Sequence, residues 1–265
     1  MTNKSSARTD RVERLSPVSS ALAAVPDDIL PLKTKCATCD LRELCEPCCG
    51  LTRSEKSATD HAMFNRLRVR RGASLYRTGD RFTSLYAVRK GFFKSLTLFE
   101  NGRDQVTSFA MPGEVLGMDG IGPERHTCNT VALEDSEVCA ISFTGLQELA
   151  HHIPSLQRQV HRMMGREIVR EHGVMLQLGS MNADERVSMF LLNLSRRFAA
   201  HGYSPAKFNL RMTREEIGSY LGLNLETVSR IFSKFEEEGL LKVQRKIIHI
   251  LDGAGLERVM GRHRD

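Results

Sequence analysis

Thr213-Arg-Glu-Glu-Ile-Gly-Ser-Tyr-Leu-Gly-Leu-Asn-Leu-Glu-Thr-Val-Ser-Arg-Ile-Phe-Ser-Lys-Phe-Glu-Glu-Glu-Gly239 is the stretch that decides the fold. Thr213 and Glu216 have the spacing of a capping box, in which a hydroxyl and a carboxylate satisfy the first free amides of a helix. That helix carries Ile217, Tyr220 and Leu221 and stops at Gly222. Asn224 can cap a second helix, which runs to Glu238 and ends at Gly239. Two short helices joined by a tight glycine-containing turn form a helix-turn-helix. The second helix divides by period into an apolar face, Val228, Ile231, Phe232 and Phe235, and an opposite face of Glu226, Ser229, Arg230 and Ser233. Arg can bond guanine O6 and N7 together, Glu can accept from cytosine N4, and Ser can meet base edges or phosphate. Leu240 to Ile250 then reads as a small β-hairpin, a wing whose Lys and Arg suit phosphate contact.

Moving toward the amino terminus, a loop is expected over Gly202 to Phe208, and a helix over Asp184 to Ala200 with Arg196 and Arg197 near its end. Before it, Pro154 and Ser155 open a long helix reaching about Leu178. Its apolar residues, Leu156, Val160, Met164, Ile168, Met175 and Leu178, recur in coiled-coil fashion and suit a dimer seam. Glu171 interrupts this stripe. In a parallel symmetric dimer two copies would face each other, and like charges repel.

From Val69 to about Phe143 the texture is different. Glycines at 72, 79, 91, 102, 113 and 117 separate short β-prone segments, and Asn101-Gly102 is a hairpin turn signal. Even spacing of short strands predicts an antiparallel roll. Leu51 to Leu67 reads as a short helix feeding the sheet. Ahead of it lie Cys36, Cys39, Cys45, Cys48 and Cys49, five of the chain's seven cysteines. Thiolates from one loop can converge on zinc or on an iron–sulfur cluster. Residues 1–30 read as a disordered tail, punctuated by Pro17 and Pro26. The fold class is therefore α+β. It comprises the tail, a cysteine loop and β-roll sensor domain (31–150), a dimerisation helix (151–181) and a winged helix-turn-helix (182–265).

Composition narrows the function. A net charge of +6 and a pI near 9.0 favour nucleic acid over acidic substrates. No apolar run reaches the ~20 residues needed to span a bilayer, and the first thirty residues lack a signal core. The expected place is the cytoplasm, where disulfide frameworks are rare, which strengthens the metal reading. No Ser/His/Asp or paired-carboxylate arrangement points to an enzyme.

The order β-roll, long helix, winged helix-turn-helix resembles the CRP/FNR superfamily of bacterial transcription regulators, over about residues 36 to 255. Within it the chain is most similar to the oxygen-sensing FNR branch. The matching motifs are Cys-x2-Cys-x5-Cys, Asn193-Leu-Ser-Arg-Arg-Phe198, Met212-Thr-Arg, Glu226-Thr-Val-Ser-Arg230, and a further cysteine in Val138-Cys139-Ala-Ile141. The resemblance implies that Cys36, Cys39, Cys45 and Cys139 hold a [4Fe–4S] cluster. It implies that Glu226, Ser229 and Arg230 read a TTGAT-like half-site in double-stranded DNA, with Thr213 and Arg214 as further DNA-binding positions. Val160, Met164, Ile168, Glu171 and Met175 would form the dimer interface. RNA polymerase would be a partner. The protein would be a homodimer while the cluster is intact and a monomer once oxygen has destroyed it.

Three features depart from the pattern. Cys48, Cys49 and Cys128 have no place among four ligands, Asp40 follows the second ligand, and the tail before Cys36 is long. Two other regulators compete. One binds a cyclic nucleotide, since Pro112 to Gly117 resembles part of a phosphate cassette. There His126 stands where an Arg is needed, and a one-residue slip would bring in Arg125. The other is a zinc-stabilised, oxygen-indifferent DNA binder.

Overall fold

Val138 and Cys139 are neighbours on one strand whose side chains project to opposite faces, and the layers of the molecule follow from that alternation. The computed structural model describes residues 28–32, 64–99, 101–152 and 154–261. In chain order its roll contains β1 (Ile29–Leu32), β2 (Phe64–Val69), β3 (Ser74–Tyr76), β4 (Ser84–Lys90), β5 (Phe93–Leu98), β6 (Asp104–Ala110), β7 (Val115–Leu116), β8 (Asn129–Ala132) and β9 (Ser136–Ser142). They pair antiparallel into two sheets, ordered β1-β2-β9-β4-β7 and β3-β8-β5-β6. Between the sheets lies a core that includes Ile29, Val69, Val88, Phe93 and Val138. On the outer face of the first sheet, Leu85, Ala87, Cys139 and Ile141 pack under two helices, α1 (Phe143–His152) and α2 (Pro154–Ser180), through Leu146, Leu156 and Met163. Strand β9 is thus covered on both sides, which is why it reads as a nearly continuous buried run.

After α2 come α3 (Ala183–Ala200), β10 (Lys207–Asn209), α4 (Arg214–Leu221), α5 (Leu225–Glu237), β11 (Leu241–Gln244), β12 (Ile247–Ile250) and α6 (Gly253–Val259). Helix α3 opens on a capping box, with Asn182 accepting from the Glu185 amide. The wing is the β11–β12 hairpin. Its turn places Arg245 at a positive φ of 59°, an uncommon setting for a residue with a Cβ, and Arg245 and Lys246 are exposed at the tip.

Three sequence expectations change. Chain expected as disordered tail already joins the sheet, because Ile29 is buried and β1 pairs with β2. Of the helix expected over Leu51 to Leu67, residues 51–63 lie outside the described residues, and Phe64 onward is strand. Arg66 and Arg68 alternate there with Leu67 and Val69, a period of two. The loop expected over Gly202 to Phe208 ends in β10, which extends the wing into a three-stranded sheet by pairing with β12.

One side chain joins the long helix to the reader. The Arg186 guanidinium donates to three backbone carbonyls: Met181 O at 2.9 Å, Leu178 O at 2.7 Å and Leu221 O at 3.0 Å. These are orphan acceptors at the ends of α2 and α4, so one cation satisfies two helix C-termini. Gln177, also buried, donates to Arg186 O at 2.7 Å. Arg186→Leu leaves these acceptors unmatched and should cost about 2–3 kcal/mol in chemical denaturation.

Candidate nucleic-acid interface and cysteine site

The reading unit is built from local chemistry. Thr213 Oγ1 accepts from the Glu216 amide at 3.1 Å, and Glu216 Oε2 accepts from the Thr213 amide at 2.7 Å. Helix α4 ends at Gly222 with φ 65°, in the left-handed region that favours glycine. Gly218 is needed for a different reason, since a Cβ there would stand 2.6 Å from Leu223 O. Asn224 caps α5 by accepting from the Thr227 amide at 2.7 Å. On α5, Val228, Ile231, Phe232 and Phe235 are buried, while Glu226, Ser229, Arg230 and Ser233 are exposed. The polar face is therefore presented on a helix whose opposite side is anchored. Thr213 is exposed, but Arg214 is not simply in solvent. Its guanidinium lies 3.4 Å from the centre of the Phe232 ring, and burial pushes its pKa down to about 10. It remains a cation at neutral pH, and its Nη1 is buried with no hydrogen-bond partner.

Helix α4 also docks on the roll. The Val106 amide of edge strand β6 donates to Ser219 Oγ at 2.8 Å, and Gln105 Nε2 donates to Ser219 O. Lys94 Nζ lies 2.7 Å from Glu216 Oε1, both side chains being less than one-fifth exposed. Arg197 makes a two-pronged contact with Glu114 at 2.8 and 2.6 Å, and Arg211 pairs with Glu134 at 2.7 Å. Tyr220 packs on Phe109. These partners are distant in sequence, and no local signal could have found them.

Helix α2 shows two faces. Leu156 and Met163 are buried against the roll, with Val160 and Met164 half-buried. Ile168 and Met175 are exposed, and so is Glu171 between them. The sequence reading missed Val169 and Leu176, which are 70% and 65% exposed and follow Ile168 and Met175 at the same seven-residue interval. Between α2 and the roll lies a cavity of about 650 Å³, lined by Tyr76, Asp119 and Cys128 on one side and Glu167, Arg170 and Glu171 on the other. Arg170 is paired with Glu167. Arg125 is absent from the lining and turns outward to donate to Gly79 O at 2.8 Å. His126 is buried, stacked on Tyr76 with centroids 3.7 Å apart. Burial works to raise Asp119, but hydrogen bonds from His126, Thr127 and Cys128 hold it below the usual carboxylate range. Burial, with Asp119 alongside, pushes the Cys128 thiol up to about 12, so it is a neutral thiol.

Of the expected ligands, Cys36, Cys39 and Cys45 lie outside the described residues, as do Cys48 and Cys49. Cys139 is buried on the outer face of β9, in the cluster that holds Leu156 and Met163 of α2. Its register partner on β2 is Arg66, and Arg66 in turn stands opposite Leu32 on β1. Cys36 follows Leu32 by four residues. Among the described residues no group of three or more His, Cys, Asp or Glu side chains is placed to hold a metal. None of the described helices is long and apolar enough to cross a membrane.

A sheet roll, a long helix with an exposed apolar face and a winged helix-turn-helix, in this order, define a DNA-binding regulator. Residues 66–152 match the model of a cyclic nucleotide-binding domain, and residues 185–259 that of a Crp-like helix-turn-helix domain. The chain is 43% identical to the transcriptional regulatory protein btr of Bordetella pertussis, over 87% of this chain and 95% of that protein. It is 43% identical to the transcriptional activator protein Anr of Pseudomonas protegens, over 82% and 88%. It is 40% identical to the fumarate and nitrate reduction regulatory protein of Escherichia coli K12, over 87% and 92%. The structure of FixK2 from Bradyrhizobium japonicum superposes with a TM-score of 0.68 at 29% identity, covering 73% of this chain and 95% of that one. The chain belongs to the CRP/FNR superfamily of transcription regulators, on its FNR branch.

Glu216 serves both the cap and the domain contact. Burial works to raise its pKa, but the Lys94 ammonium and the Thr213 amide outweigh it and hold the carboxyl below its ordinary range. A depressed folded value means that its stabilisation is complete above the unfolded pKa and is lost as pH falls through the folded one. Glu216→Gln should therefore flatten the acid limb of stability against pH, read by chemical denaturation from neutral pH to ~3.

Proposed function

We propose that this chain is an oxygen-responsive, DNA-binding regulator. In this reading Cys36, Cys39, Cys45 and Cys139 hold a [4Fe–4S] cluster, and the cluster-loaded chain dimerises through α2. The observation that carries the reading is the position of Cys139. Strands are spaced ~4.8 Å apart, so Leu32 lies roughly 10 Å from Cys139 across β2. Four extended residues span at most ~14 Å, so Cys36 is within reach of Cys139. Thiolates suit such a core, and the buried, largely apolar surroundings of Cys139 would limit access of water to it.

Cys139 shares its packing cluster with Leu156 and Met163, so a ligand pulled at Cys139 acts on the base of α2. Further along α2, Ile168, Val169, Met175 and Leu176 offer an apolar face for a second copy. Glu171 on the same face opposes association by like-charge repulsion, which makes the dimer conditional rather than automatic. A dimer sets two α5 helices against an inverted repeat in double-stranded DNA. Glu226, Ser229 and Arg230 then meet base edges of a TTGAT-like half-site. In this reading Thr213, Arg214, Arg245 and Lys246 meet phosphate, Arg214 turning its unmatched Nη1 outward. RNA polymerase is the partner expected at promoters, and the cytoplasm the expected place.

The cavity does not favour the cyclic-nucleotide reading. Among the described residues that line it, the acids Asp119, Glu167 and Glu171 outnumber the one cation, Arg170, and Arg125 points away. An anionic phosphate would enter a net negative site.

Two tests follow. Protein purified without oxygen should carry iron and sulfide in equal numbers and a visible absorbance that air bleaches, and Cys139→Ala should lose both. Colourless protein carrying zinc would instead support the oxygen-indifferent binder. Glu171→Ala should sediment as a dimer even in air, and a persistent monomer would refute the repulsion argument.

A further inference from the structure

Strand β2 carries Arg66 and Arg68, Arg70 follows its end, and each of the three is paired with an acid. Arg68 and Asp135 are 3.4 Å apart, Arg70 and Asp28 3.6 Å, and all four side chains are more than half exposed. Arg66 and Glu137 differ. Their contact is 2.6 Å, and about three-quarters of each side chain is covered. A covered ion pair gives little net stability, because desolvation offsets the attraction, so its place calls for another reason. That place is beside Cys139. Arg66 is its direct register partner on β2, and Glu137 is two residues before it on the same face of β9. Directly opposite residues in an antiparallel pair have Cβ atoms about 5 Å apart.

A cubane core held by four thiolates is a net anion, and nearby charge and hydrogen bonds tune its stability. We propose that Arg66 is a positioning residue for the cluster, a covered cation opposite the Cys139 ligand that steadies the anionic centre, with Glu137 holding and partly masking its charge. This rests on the ligand reading above. It also gives the two partners opposite signs. Loss of Arg66 removes the favourable charge, whereas loss of Glu137 unmasks it. A pair that only supports the fold would respond alike to either change.

The test uses the full chain, loaded anaerobically with ferrous iron and sulfide, as wild type, Arg66→Gln, Arg66→Lys and Glu137→Gln. Loading is counted as iron and sulfide per chain. The clusters are then challenged with a ferrous chelator without oxygen, and loss is followed by visible absorbance. Arg66→Gln should shed its cluster about tenfold faster, the scale of one unit charge near a partly buried anion. Arg66→Lys should stay close to wild type, and Glu137→Gln should be as slow or slower. Equal rates for Arg66→Gln and wild type would overturn the proposal, and so would equal acceleration in Arg66→Gln and Glu137→Gln. A wild-type chain that takes up no iron and sulfide would instead sink the cluster reading itself, and the proposal with it.

Discussion

Strand β9 is clamped between two apolar layers, and the rest of the molecule depends on that clamp. Val138 faces the interior of the roll while Cys139 and Ile141 face the helices, so one strand joins the core of the roll to the base of α2. A close-packed strand has no room to move by itself. Cys139 belongs to the same packed cluster as Leu156 and Met163 of α2, so a displacement of β9 is felt at the base of that helix. The same clamp fixes where Cys139 stands relative to the first strand. Antiparallel pairing of β1, β2 and β9 puts Leu32, Arg66 and Cys139 in one row.

At its other end α2 is tied to the reader. Arg186 holds the last carbonyls of α2 and α4 together, and α4 is fastened to the roll by Ser219, Glu216 and Tyr220. The reader is thus gripped from two sides, by the long helix and by strands β5 and β6. The grip is apolar as well as polar, since Phe92, Val106, Phe109 and Met111 of the roll share one buried cluster with Phe190, Phe198 and the core face of α5.

Much of this was legible beforehand. The caps at Thr213 and Asn224, the stop at Gly222 and the two faces of α5 are local features, and the helices fall where the residues place them. The wing and the Asn101-Gly102 turn were legible for the same reason. Less so were β1 and β2, where a short alternation next to a cysteine-rich segment looked like tail and helix. The face of α2 was half legible. A heptad shows which residues align, but Val160 and Met164 proved to lean on their own roll while Val169 and Leu176 stood out. Period alone cannot tell which neighbour covers a stripe.

The sequence by itself determined the order of the units, the α+β class, the helix-turn-helix and the polar face that it presents. Those rest on backbone capping and on periodicity, which act over a few residues. The tertiary structure alone decided that Lys94 would meet Glu216, that Arg125 would turn away from the cavity, and that Arg66 would stand opposite Cys139. Each of these joins residues set by strand register and layer packing. Register is fixed by which face must be buried, and that depends on the whole sheet.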